Sequence, residues 1–347
     1  MYRFVVAVTI LCATMLPVLV RAHEVYVLPP DVVQQAIHTP AFSEVAIAVQ
    51  DSTQFVLWAF IAAFVVGLIF FVSISRSVER VLDPYLVKLP YYAPFVGRVT
   101  IGLAFCASAY YAALFGPELP LIALFGTAAP IVQAVLFCIG VLLVLGAYPR
   151  VAAVAALTVF VWAVHIQGLY MLTYTNYVGE LILVLILGAH VYALHTKHTD
   201  THTAPVWALG IKRALTPYAF LLLRVGFGAA LIYASLYAKI MHNQLALALT
   251  QAYPDVVTFF GFEPHFLVLG AALVELTIGA FFILGIEIRF TSLFLLFWLS
   301  LSLWYFGEAV WPHLILIGIP ISFICYGYDK YSLEGYFFKR NGREPVL

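Results

Sequence analysis

Apolar runs of about 20 residues, separated by short polar stretches, fill most of the 347-residue chain. The strict alternation of a half-buried strand is absent from them. A run of that length matches a helix rising 1.5 Å per residue through the ~30 Å hydrocarbon of a bilayer. Only a helix or a closed barrel satisfies its own backbone there, so the pattern predicts an all-α integral membrane protein. Nine transmembrane helices are expected, over residues 55–75, 97–115, 128–147, 151–171, 177–195, 217–239, 265–285, 290–307 and 311–327. Short connections between them suit antiparallel neighbours. Ahead of the spans, residues 1–22 read as a secretory signal peptide, with Arg3, an apolar stretch from Phe4 to Val20 and Ala22 at a small-residue cleavage site. The competing reading is an uncleaved first span, although Pro17 interrupts the stretch. Residues 23–54 hold Asp31, Glu44 and Asp51 but no Lys or Arg, and are expected to form an exported segment with an interfacial helix from about Val32 to Val49.

Composition strengthens this picture. Hydrophobic residues make up 64% of the chain and charged residues 10%, against about 25% charged in soluble domains. That excludes a soluble enzyme and a disordered chain. Seventeen Lys and Arg balance seventeen Asp and Glu, leaving no net field to attract a nucleic acid. The basic residues are unevenly placed, and they set orientation. With residues 23–54 outside, Arg76, Arg80, Lys88, Arg150, Lys197, Lys212, Arg213, Arg289, Lys330, Lys339, Arg340 and Arg343 all fall inside, and Lys239 alone falls outside. The expected location is a bacterial-type inner membrane, with the mature N-terminus outside and the C-terminus cytoplasmic.

Two stretches of the chain are alike. Residues 97–112, 135–150 and 176–188 line up with 223–239, 275–289 and 311–321. Arg98-x3-Gly102 matches Arg224-x3-Gly228, Gly140-x5-Gly146-x3-Arg150 matches Gly279-x5-Gly285-x3-Arg289, and Glu180-Leu-Ile-Leu matches His313-Leu-Ile-Leu. Each stretch starts and ends inside, which makes this a parallel repeat. Chance similarity between Gly- and Leu-rich helices is the alternative. The resulting organisation has a leading helix over 55–76, a cytoplasmic linker over 77–94 and a first four-helix unit over 95–196. A second linker over 197–214, a second unit over 215–329 and a tail over 330–347 follow. The glycines read as packing positions, since close approach supplies the contact energy between helices in lipid. Arg150 and Arg289 read as topology anchors.

Arg224, Gly228, Lys239, Glu275, Gly279, Gly285 and Arg289 form a pattern that resembles the DoxX/DoxD family of membrane proteins. The resemblance covers residues 215–329 well and 95–196 more loosely. It implies a four-helix membrane bundle and, in some members, the membrane subunit of a thiosulfate:quinone oxidoreductase. Leu136 and Ala113 stand where the second unit has Glu275 and Lys239, so any such chemistry is expected in the second unit.

Polar residues within the apolar runs are the remaining clue, because a charge near mid-bilayer costs from about 3 to above 10 kcal/mol. Glu275 is expected close to the midplane, as a carboxyl that exchanges protons with a quinone; an interhelical hydrogen bond is the structural alternative. Lys239 is placed near the outer end of its span, where it snorkels to the headgroups or pairs with Glu275 or Glu308. His313 joins Glu275 and Lys239 as a catalytic candidate. Arg224, His242, Glu308, Trp311, His165 and Glu180 are candidates for binding quinone or substrate. Expected partners are the bilayer, a membrane quinone and a partner redox subunit. Cys12, Cys106, Cys138 and Cys325 are far apart and form no redox motif. The histidines of 195–202, and His23 with His38, are weak metal candidates, and no bound metal is expected. No nucleotide fingerprint is present. The leading expectation is a quinone-linked redox subunit that oxidises thiosulfate or a similar small reductant at the outer face. A small-solute transporter or channel and a non-catalytic membrane scaffold or assembly factor are the alternatives.

Overall fold

The computed structural model describes residues 28–41, 54–86, 89–188, 192–194, 206–306 and 311–337. The signal peptide, most of residues 23–54, Glu308 and the end of the tail lie outside the described residues.

Those residues are mostly helical, and no strand occurs among them. In chain order the helices are α1 (Pro30–His38), α2 (Gln54–Leu86), α3 (Ala93–Tyr110), α4 (Leu121–Phe125), α5 (Ala129–Leu145), α6 (Pro149–Gln167), α7 (Thr175–Leu187) and α8 (Val206–Leu215). They continue as α9 (Ala219–Ser235), α10 (Asn243–Ala252), α11 (Pro254–Phe260), α12 (Pro264–Leu284), α13 (Ile288–Phe306), α14 (His313–Tyr326) and α15 (Leu333–Phe337). Proline within the first turn starts α3, α5, α6, α11 and α12, where its missing N–H costs nothing.

Among the described residues, seven helical runs are long and apolar enough to cross a membrane: Trp58–Ser75, Pro90–Tyr110, Leu121–Leu145, Pro149–Leu187, Lys212–Met241, Pro264–Leu284 and Ile288–Phe306. The fourth run contains α6, a 3-10 turn over Gly168–Tyr174 and α7, and α6 and α7 pack on each other. α14 is apolar but has only 14 residues. The expected spans 177–195 and 311–327 are therefore shorter as helices than their apolar runs. α2 departs the other way. It continues to Leu86 through most of the expected linker 77–94, past Pro84 in its last turn. Within residues 23–54, a helix covers Pro30–His38. Its apolar side, Val33 and Ala36, packs with Leu28 against Leu245 of α10.

The bundle is cross-packed. α3 lies against α5 and α9 against α12, while α7 packs on α9 and α14 packs on α3. A Cβ on Gly228 would stand 2.5 Å from the carbonyl oxygen of Gly279, so α9 and α12 touch backbone to backbone. Gly102 and Gly140 bring α3 and α5 together in the same way.

Buried arginines fasten the ends of these helices. Arg98 Nη2 donates to Tyr192 O at 3.0 Å and Arg224 Nη2 to Tyr331 O at 3.2 Å. Each guanidinium occupies the place that a side chain would take at Gly146 (φ +66°) or Gly285 (φ +70°). Only glycine suits both the left-handed backbone and the space the arginine fills. Arg150 Nε donates to Leu185 O and Arg289 Nε to Ile324 O, both at 3.1 Å. The two residues expected as topology anchors thus hold carbonyls in the last turns of α7 and α14, which lack partners within their own helices. Setting Arg150 on Arg289 and Gly188 on Gly327 puts Tyr174, and not Glu180, opposite His313. The Leu-Ile-Leu match misleads because apolar tripeptides of this kind fit at several registers. Arg289→Met is expected to destabilise the chain by about 1.5–3 kcal/mol through loss of a charged hydrogen bond, measured by thermal unfolding in detergent.

Candidate functional site

Lys239 and Glu275 meet in the second half of the chain. Lys239 Nζ lies 2.9 Å from Glu275 Oε2, with side-chain exposures of 6% and 22%. Glu275 is the twelfth residue of the 21-residue α12, midway along it. Lys239 is on a single π-helical turn, Leu236–Met241, that extends α9. The wider turn changes the direction of the side chains that follow the regular helix. Such turns inside helices are frequent at functional sites. In place of the headgroup-reaching lysine allowed by the sequence, the chain has a buried ammonium joined to the mid-helix carboxylate. A charge is costly in an apolar bundle, and here each partner offsets the other.

The same turn carries Tyr237, whose carbonyl accepts from the backbone N–H of His242 at 2.9 Å and lies 3.2 Å from His242 Nδ1. The Tyr237 ring sits 4.3 Å from the His242 imidazole and 5.2 Å from the Tyr170 ring, centroid to centroid. Tyr170 and Tyr174 both donate their hydroxyls to Glu118 Oε1, the first at 3.1 Å. Tyr177 donates to Phe115 O beside them. A line of phenols therefore runs from Glu118 to the turn that holds Lys239.

The other expected site residues are dispersed. Arg224 lies fifteen residues before Lys239, about 22 Å away along a helix. It faces Tyr331 O and Asp329, with Nη1 3.7 Å from Asp329 Oδ2. It fastens the opposite end of the bundle. Trp311 is buried, stacks on Tyr111 at 4.7 Å and donates through Nε1 to Ser108 Oγ at 3.1 Å, which joins the start of α14 to α3. His313 is buried in the first turn of α14. His165 is exposed in the last turn of α6. Apolar neighbours in sequence enclose it along the helix axis but say nothing about which side it faces. Glu180 is fully buried between α3, α7 and α14, away from the Lys239 turn. Glu308 lies outside the described residues.

Sequence reading missed Tyr237, the π-helical turn and the phenols around Glu118. Tyr170, Tyr174 and Tyr177, three and four residues apart, were the available signal for one face directed at an acid. Nothing local marks the π-helical turn. Among the described residues no group of three or more His, Cys, Asp or Glu side chains is arranged to hold a metal. Comparison of the chain with protein-family models, curated proteins and solved structures gives no match.

Proposed function

We propose that this protein is a membrane-embedded, quinone-linked redox subunit of DoxX/DoxD type, which passes electrons from thiosulfate or a similar small reductant at the outer face to a quinone in the bilayer. The Lys239–Glu275 pair, 2.9 Å apart at the middle of α12, carries the reading. A quinone bound here supplies the two-electron couple: quinone, two electrons and two protons give the quinol, while two thiosulfates give tetrathionate and two electrons. The residues fit such a group. Lys239 offers a cationic donor to a carbonyl oxygen. Glu275 exchanges a proton as charge develops, and its partial exposure leaves it reachable. His242, directly after that turn, adds an exchangeable ring nitrogen. We also read the paired arginine and glycine contacts as one four-helix unit built twice, with the chemistry confined to the second. In the first, buried Leu136 and Ala113 replace the ion pair. Arg224 and Trp311 hold the framework. A partner subunit receives the electrons from the sulfur compound.

The test is purified protein with its partner subunit, thiosulfate and a short-chain quinone, followed by quinone absorbance. Turnover is expected, and Glu275→Gln should lower it at least 100-fold, the scale of losing a positioned acid–base group. Absence of turnover with thiosulfate and with other sulfur donors overturns the proposal. The transporter reading draws on two irregularities, the π-helical turn and Pro320 inside α14, since broken helices line transport sites. Uptake into proteoliposomes without electron transfer would favour it. In a scaffold, Glu275→Gln would change stability and no rate.

A further inference from the structure

Glu180 is fully buried near the middle of α7, at a seam where three helices meet. Its neighbours are small and oxygen-bearing. A Cβ on Gly97 of α3 would stand 3.2 Å from Glu180 Oε1 and 3.6 Å from Ser322 Oγ of α14. Thr100 of α3 packs on Gly318 of α14. Ser322 donates to Ala93 O at 3.1 Å.

The cluster has more acceptors than donors. The Thr100 hydroxyl lies within 3.1 Å of three oxygens: Val96 O at 2.9 Å, Gly97 O at 3.0 Å and Glu180 Oε1 at 3.1 Å. One hydroxyl proton serves one of them. Glu180 Oε2 has no hydrogen-bond partner and is sealed from solvent. A carboxylate in that position lacks a positive charge that would balance it. Among the described residues, the surrounding elements do not supply one. On α3, Arg98 turns its guanidinium to Tyr192 O and Gly146. On α7, Tyr177 donates to Phe115 O. α14 presents Ser322 and Gly318, and α9 faces α7 with Leu223 and Gly226. All the available ligands are hard oxygens.

We propose that Glu180, Thr100 and Ser322 form a buried site for one monovalent cation, a proton or a sodium ion, at the seam between the two halves of the bundle. The site is distinct from the Lys239–Glu275 pair and does not depend on the quinone reading. Holding one positive charge there joins α3, α7 and α14, so occupancy sets how tightly the halves close.

Thermal unfolding of the full-length protein in detergent tests this, with sodium chloride exchanged for choline chloride at constant ionic strength between pH 6 and pH 9. Bound sodium raises Tm saturably by about 3 °C, and Thr100→Val and Glu180→Gln abolish the rise. A bound proton leaves Tm indifferent to sodium. The folded chain then holds a proton that the unfolded chain releases, so Tm falls as pH rises, and Glu180→Gln removes that slope. If Glu180→Gln does not fold, Thr100→Val decides: removing the hydroxyl beside the carboxyl alters the pH dependence of Tm when the charge held there is a proton. The proposal is overturned if the wild type is indifferent to sodium and the pH slope is unchanged in Glu180→Gln or, where that variant does not fold, in Thr100→Val.

Discussion

Lys239→Met is expected to destabilise the protein by about 3–5 kcal/mol, because it leaves the Glu275 carboxylate without its partner inside the bundle. Glu275→Leu should cost a similar amount, through the buried ammonium left behind. The double variant Lys239→Met/Glu275→Leu should regain most of the loss, since replacing both charges with apolar groups of similar size removes the desolvation cost with the attraction. Thermal unfolding of the four proteins in one detergent checks this as a double-mutant cycle. A double variant whose loss equals the sum of the single losses would show that the 2.9 Å contact contributes no coupling. The cycle also separates structure from chemistry. The double variant should fold nearly as well as wild type, yet give no quinone turnover.

The second large effect is expected at the contact of α9 with α12. Gly228→Val places its Cβ 2.5 Å from the Gly279 carbonyl oxygen, well inside van der Waals contact. Backbone cannot move aside as a flexible side chain can, so the helices must separate along their length. The expected cost is about 3 kcal/mol or more. Gly67→Val on α2 is the control. Nothing lies within 4 Å of a Cβ there, and its effect should stay within about 0.5 kcal/mol. Similar unfolding temperatures for the two variants would refute close backbone packing of α9 on α12.

The helical architecture was legible because apolar run length is a local property. So were the glycine packing positions, since Gly102, Gly140, Gly228 and Gly279 recur at fixed distances from arginines. Arg150 and Arg289 show the limit of such reading. Their position near helix starts suggested anchors at the membrane boundary. Each also reaches across to the last turn of another helix, thirty-five residues on, which that position does not reveal. His165 and Glu180 show the same limit: both are surrounded by apolar residues in sequence, yet one is exposed and the other fully buried. Neighbours along the chain set how deep a residue lies on the helix axis, whereas burial depends on which side of the helix meets another.

The sequence alone determined the helical class, apolar runs long enough to cross a bilayer and the place of Glu275 midway along its helix, because hydropathy and 1.5 Å per residue settle where a helix can start and stop. Tertiary structure decided the pairing of Glu275 with Lys239, the cross-packing of α7 on α9 and α14 on α3, and the enclosure of Glu180. These depend on the rotation of each helix about its own axis. In lipid that rotation is chosen by small-residue contacts and buried hydrogen bonds between distant segments, and no local pattern of polarity specifies it.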